Sequence, residues 1–430
     1  MEDGKASAVA PRRESNVYIW YVVGVCFVAY TVNFIDRQIL AILLSPIKEE
    51  LDLKDVHLGL LSGTAFGIFY ATMGIPIGRL ADRYPRRTVM AISVALWSTM
   101  TALSGAARGF YTLLVCRIGV GIGEAGCSPP AISLISDYVP QEKRGRALSL
   151  YSMGVPVGIV IGFLAGGYLR EIVGWRMAFV VVGLPGIVVA LLLLLTVREP
   201  LRTTQNNLPP LGEVMRFLWQ RRSFRFLAIA SGLYAFALTS TMFMLALFLE
   251  RSHGLGAIEQ GHAAAFIMAG GVGIGTLAGG FIADAWAKHD RRAYALLPMI
   301  SMAIAVPGSA AAFLCDNTPI AIGLLMIPGL CGQIYQAPAF AASQSLATPA
   351  MRVTAAAVLF FVINIIGLMC GPATTGFISD LLNPTYGDES LRYALLSVNV
   401  VFYALASFFY WMSSRTMRED FDYVASLSEK

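Results

Sequence analysis

The sequence predicts an all-α membrane protein of twelve transmembrane helices in two pseudo-symmetric six-helix bundles. Three observations lead there. The 430 residues are 56% hydrophobic and only 14% charged, outside the balance of a soluble globule. Apolar runs of about 20 residues, each enough to cross roughly 30 Å of hydrocarbon, recur along the whole chain. Motifs of the first half also return in the second: Gly78-Arg-Leu-Ala-Asp82 has its counterpart in Gly280-Phe-Ile-Ala-Asp284, 202 positions on, each followed by a basic cluster.

In order, the runs place spans near 17–45, 56–82, 88–107, 110–136, 146–169, 175–197, 224–250, 258–284, 293–315, 318–345, 353–381 and 391–414. They divide the chain into a tail (1–16), a first bundle (17–197), a linker (198–223), a second bundle (224–414) and a final tail (415–430). The polar start, Met1 to Asn16, has no hydrophobic region followed by a cleavage site, so no signal peptide is expected. Within the linker, Leu211, Val214, Met215 and Leu218 fall at helical spacing opposite Arg216 and Arg222. That pattern suits a short interfacial helix, though a simple tether is the plainer reading.

An even number of spans puts both ends on one side, so the 32 lysines and arginines can be sorted by face. The terminal side holds 23, including Arg79, Arg83, Arg86, Arg87, Lys143, Arg144, Lys288, Arg291 and Arg292. The far side holds seven: Lys48, Lys54, Arg108, Arg170, Arg176, Arg251 and Arg392. By the positive-inside rule both termini are cytoplasmic, as expected for a multi-pass protein of a bacterial inner membrane. Topology thus accounts for the net charge of +5, and no nucleic-acid partner is implied. The six cysteines lie in or beside apolar runs without paired spacing, so neither a disulfide framework nor a zinc site is suggested.

Two of the 32 bases remain, Arg37 and Arg117, and both fall inside spans. Arg117-Ile-Gly-Val-Gly-Ile-Gly-Glu124 places an arginine and a glutamate about 10 Å apart on one helical face. In span 1, Asn33-Phe-Ile-Asp36-Arg37-Gln38 interrupts the apolar course before it resumes at Ile39. At 1.5 Å per residue, Asp36 lies about 14 Å deep and Arg117 about 10 Å, within pairing reach of each other. Glu124 lies about 21 Å in. A charge at the bilayer centre costs at least about 2.5 kcal/mol, so intramembrane ionisable groups mark pathways by default; a structural clamp between spans 1 and 4 is the competing reading. Asp36, Arg37, Arg117 and Glu124 sum to zero charge. Protonating either carboxylate would leave net positive charge that draws an anion in, or would free an arginine to hold one.

The second half lacks these charges. Gln333 stands where Glu124 stands, followed by Pro338 as Glu124 is by Pro129, and Thr239, Ser240 and Thr241 supply the polar place in span 7. Coupling is therefore expected in the first half alone. Gln333, Tyr335 and Asn364 are candidate cavity residues, with helix-to-helix hydrogen bonding an equal account. Gly78, Asp82, Arg83, Arg86 and, in the repeat, Asp284 are candidates for a cytoplasmic gate, in which an acid and a basic cluster hold a neighbouring helix end and release it as the bundles rock. Gly154, Gly158, Gly162, Gly166 and Gly167 form a smooth stripe for close packing, expected against the facing span of the other half. The four histidines fall at span ends or loops and are not expected to carry the proton.

Together, the Gly78-to-Arg87 loop, the Arg117…Gly-x-Glu124 stretch and the glycine stripe resemble the three characteristic motifs of the major facilitator superfamily, across essentially the whole chain. Asn33-Phe-Ile-Asp36-Arg37 and Gly59-Leu-Leu-Ser-Gly63 are similar to its spinster group of lipid transporters in bacterial form. The resemblance implies a proton-coupled carrier, acting as a monomer and without a cofactor, for an amphipathic anionic lipid such as a lysophospholipid or sphingoid phosphate. It assigns proton coupling to Asp36, Arg117 and Glu124; the candidate substrate contacts, read from the residues themselves, are Asn33, Arg37, Arg117, Glu124, Gln333, Tyr335 and Asn364. An organic-anion–proton symporter and a drug–proton antiporter are the alternatives. A membrane enzyme or sensor is disfavoured: the chain has no H-E-x-x-H, serine- or aspartate-protease motif or phosphate-cradling loop.

Overall fold

A computed structural model describes residues 15–200, 210–348 and 351–428. The first tail up to residue 14, residues 201–209 of the linker and residues 429–430 lie outside the described residues. Among those described, nine stretches are long and apolar enough to cross a membrane. Two of the nine, Lys143–Thr196 and Thr354–Leu427, hold two passes each; they turn at Gly174 (φ 75°) and Gly387 (φ 53°), in the left-handed region that favours glycine. Arg86–Ser104, short and starting with two arginines, makes the twelfth.

The first six helices are α1 (Asn16–Leu51), α2 (Asp55–Gly59, a π turn Leu60–Thr64, then Ala65–Arg83), α3 (Arg86–Ser104), α4 (Phe110–Glu124 continued by Ser128–Tyr138), α5 (Gln141–Ser152 continued from Gly154 to Gly174) and α6 (from Gly174 to Thr196). The next six are α7 (Arg222–His253), α8 (Ala257–Ile267, a π turn Met268–Gly273, then Ile274–Ala287), α9 (Ala293–Leu314), α10 (Thr318–Gln333 continued by Gln336–Ser345), α11 (Arg352–Ile363, a π turn Asn364–Met369, then Gly371–Tyr386) and α12 (Ser390–Ser428). The duplication is visible in where helices break. α4 stops at Glu124 and α10 at Gln333, because Pro129 and Pro338 lack an N–H and their rings crowd the carbonyls of Ala125 and Ile334.

Apolar side chains face outward as well as inward. Ile172, Leu195 and Phe281 are among the most exposed residues, while Asp36, Arg117 and Glu124 are buried, the distribution a bilayer selects. The linker helix Leu211–Gln220 buries Val214 and Leu218 against the second bundle and leaves Leu211, Met215 and Trp219 exposed. α12 does not end at the membrane: it runs to Ser428, docking Met417 and Phe421 in the second bundle's core, while Asp420 accepts from the N–H and the hydroxyl of Ser223.

Among the described residues, the two halves meet on one side only. Phe243–Leu249, at the far end of α7, joins a core shared with α1, α3 and α5. Phe224 to Ala237, at its terminal end, belongs to a separate core of the second bundle. α2 and α11 touch closely at the far side: a Cβ at Gly59 would run into the Pro372 backbone, and one at Gly376 into the backbone of Asp55. Further along α2, Gly74 and Gly78 face open space, so the bundles splay toward the termini. Gly59→Val is expected to weaken far-side closure by about 1–3 kcal/mol, the usual cost of overpacking; a lowered thermal midpoint in detergent checks this.

The glycine stripe corrects the sequence-based expectation. Gly154, Gly158, Gly162 and Gly166 pack on α1 of their own half, against Thr31, Phe34, Ile35 and Ile42. Only Gly167 reaches the other half, at Ala257 and Ile258 of α8. The reason is geometric: α5 packs along α1 for its whole length but meets α8 only where the bundles converge.

Candidate functional site

α1 is continuous through Asp36 and Arg37, started by Ser15, whose hydroxyl caps the N–H of Tyr18. Consecutive residues on a helix point about 100° apart, and this separates the two charges. Asp36 is fully buried toward α3, its Oδ2 accepting from Thr101 Oγ1 at 3.3 Å. Arg37 turns to α4 and α2. Its Nε donates to Glu124 Oε2 at 3.1 Å, and its Nη2 donates to the same oxygen. Its guanidinium also lies 4.8, 4.6 and 5.0 Å from the ring centres of Phe34, Phe66 and Tyr70. Aromatic faces at this distance stabilise a cation that is only partly hydrated, as the half-buried Arg37 is.

Arg117 is fully buried almost two turns before Glu124 on α4, and none of its three guanidinium nitrogens has a hydrogen-bond partner. Phe66 lies 5.7 Å from it. The expected Asp36–Arg117 pair is not formed: no ion pair within 4.0 Å joins them among the described residues, and Glu124 is bonded to Arg37 instead. The cause is the rotation of Asp36 toward Thr101, which depth counting along two helices cannot see. Asn33 Nδ2, Asp36 Oδ1, Gln38 Oε1, Trp97 Nε1 and Glu124 Oε1 are further buried polar atoms without partners. Such atoms cost about 1–3 kcal/mol each unless a ligand or proton meets them.

The second-half candidates divide. Gln333 is half-buried. Asn364 starts the α11 π turn and donates to the Phe360 carbonyl at 2.8 Å. Tyr335 is buried inside the second bundle, 4.4 Å from the Tyr234 ring, where it packs the core and does not face the first half. No hydrogen bond or ion pair among the described residues joins these three to the cluster on α1 and α4.

The gate candidates do not act as one group here. Gly78 faces open space and Arg83 is exposed; the Asp82 side chain lies outside the described residues. Arg86 is buried and spans its own half, donating to Ser133 Oγ, Asp137 Oδ2 and Glu199 Oε1, so it staples α3 to the ends of α4 and α6. Asp284 is exposed at the terminal side of α8.

A far-side cluster escaped the sequence reading. Asp55 is buried at the start of α2, 2.7 Å from Lys48 Nζ, from both terminal nitrogens of Arg251 and from Ser379 Oγ. From α11, Asp380 accepts from the N–H groups of Asp55 and Val56, at 2.9 and 2.8 Å, the favoured place for a carboxylate at a helix start. Nearby, Glu250 of α7 accepts from Ser45 Oγ of α1 and from Arg170 of α5. These bonds cross between halves and close the far side. Their only sequence signal was that Lys48, Arg170 and Arg251 are among the few bases on that face.

The family profile of the Major Facilitator Superfamily matches residues 26–372. The chain belongs to this superfamily. An MFS-type efflux pump of Mycolicibacterium smegmatis is 32% identical over 405 residues, 93% of this chain and 94% of that protein. Protein spinster of Drosophila melanogaster is 36% identical over 199 residues, 46% of this chain and 33% of that protein. Crystal structures of a bacterial homologue of the human lysosomal transporter spinster, inward-facing and either unoccupied or occupied, superpose with TM-scores of 0.85 and 0.83. They are 33% and 32% identical, and each match covers 95% of this chain and 99% of theirs. The chain is thus a spinster-like major facilitator, an integral membrane transporter and not an enzyme.

Proposed function

We propose that this major facilitator carries an amphipathic anionic lipid, of the lysophospholipid or sphingoid phosphate class, by proton-coupled alternating access. The observation that carries the reading is a buried, charge-balanced cluster in which Glu124 holds Arg37 while Arg117 stands without a partner. Protonating Glu124 removes the charge that holds Arg37, so two guanidinium groups become available to one phosphate. Deprotonation restores the internal pair and expels the anion. Asp36, joined to Thr101 through one oxygen only, is the second proton site. The lysine and arginine bias puts both termini in the cytoplasm, so the splayed side is the inward one.

Efflux of a broader set of amphipaths is the second reading, favoured by the relative named an efflux pump and matched over almost its full length. Flux in proteoliposomes separates the two and also tests the small organic anion. Labelled lysophospholipid, a small organic anion and a neutral amphipath are each measured with and without a pH gradient. The lysophospholipid alone is expected to respond fully. Arg117→Ala is expected to weaken anion binding about tenfold or more, the loss of one charge-assisted hydrogen bond, and to spare the neutral amphipath. Equal loss for both would remove the headgroup role.

A further inference from the structure

Far from the central cluster, at the terminal side of the second bundle, a cavity of about 620 Å³ opens where the α8–α9 loop, the end of α10, the start of α11 and the extension of α12 meet. That volume falls in the range of roughly 300–1,000 Å³ usual for ligand pockets. Lys288, Arg291 and Arg352 line it with a single acid, Asp284. None of the three bases makes an ion pair among the described residues, whereas their neighbours Arg292 and Arg418 are both taken by Asp290, at 2.9 and 3.2 Å. Hydrogen bonding from Arg292, helped by Arg418, holds the Asp290 carboxyl down at about 2. Arg418 of the α12 extension thus meets Asp290 of the α8–α9 loop beside the cavity. The opposite wall is apolar, with Phe421 and Val424 from α12.

We propose that this cavity binds a phosphate-type anion, either free or as the headgroup of an anionic lipid whose first chain carbons lie along Phe421 and Val424. Three bases against one carboxylate leave an excess of two positive charges, and arginine matches phosphate oxygens bidentately. Bound there, the anion bridges the start of α11 and the α12 extension. The site is separate from the central cluster and does not depend on the transport reading.

The test uses the full-length protein in neutral phosphatidylcholine nanodiscs with a photoactivatable phosphatidylglycerol, the crosslinks being mapped by mass spectrometry. Crosslinks are expected in the 415–428 segment of α12. Arg352→Gln should reduce them about tenfold or more, the loss of one charge-assisted hydrogen bond. Asp284→Asn should raise them severalfold, a gain that misfolding cannot produce. Competition by inorganic phosphate extends the site to free anions, and lack of competition assigns it to the lipid headgroup. Crosslinking to this segment that is equal in the parent, Arg352→Gln and Asp284→Asn overturns the proposal.

Discussion

Glu124→Gln is expected to abolish accumulation driven by a pH gradient while leaving downhill exchange of the bound anion intact. The amide keeps the size of the side chain and still accepts from Arg37, but it cannot lose a proton. The cluster of Asp36, Arg37, Arg117 and position 124 then carries at least one excess positive charge whatever the state of Asp36, the condition that protonated Glu124 creates only transiently. Anion binding should therefore persist, and its dependence on pH should shrink to whatever Asp36 contributes. Asp36→Asn is the companion measurement. Arg37→Ala is a different experiment, because it removes the partner of the Glu124 carboxylate and should favour its protonated form. Full pH-gradient coupling in both Glu124→Gln and Asp36→Asn would end the mechanism proposed here.

Asp55→Asn should move the conformational equilibrium more than any change at the central site. Its carboxylate receives Lys48, Arg251 through two nitrogens, and Ser379. Neutralising it leaves two cations facing one another in the closed far side. Breaking a buried pair from one partner costs about 3–5 kcal/mol, and the cost falls on the far-side-closed state alone, where α2, α7 and α11 converge. A bias of about 3 kcal/mol shifts a two-state population by roughly two orders of magnitude. Spin labels at Asp52→Cys and Tyr386→Cys, on the two far-side loops of a cysteine-free background, should report a new population at longer distance. An unchanged distance distribution would show that packing at Gly59 and Gly376, and not the charge cluster, seals that side.

These experiments separate two kinds of information. The sequence by itself determined the class of the molecule: twelve apolar runs, a repeat that carries Asp82 and Glu124 into Asp284 and Gln333, and four charges where hydrocarbon forbids unpaired ones. Each rests on energies that depend on residue type and spacing along one helix, which a linear pattern records. What only the tertiary structure decided was pairing. Arg37, not Arg117, holds Glu124, because adjacent residues on α1 diverge by about 100° and Asp36 turns to Thr101 on α3. Tyr335 faces its own bundle, and the glycine stripe faces α1, because the packing partner of a helix face depends on how the bundle is assembled. The far-side latch is the clearest case. Asp55 and Asp380 are 325 positions apart, and only the convergence of α2 with α11 turns two acids near span ends into the bonds that close one side of the protein.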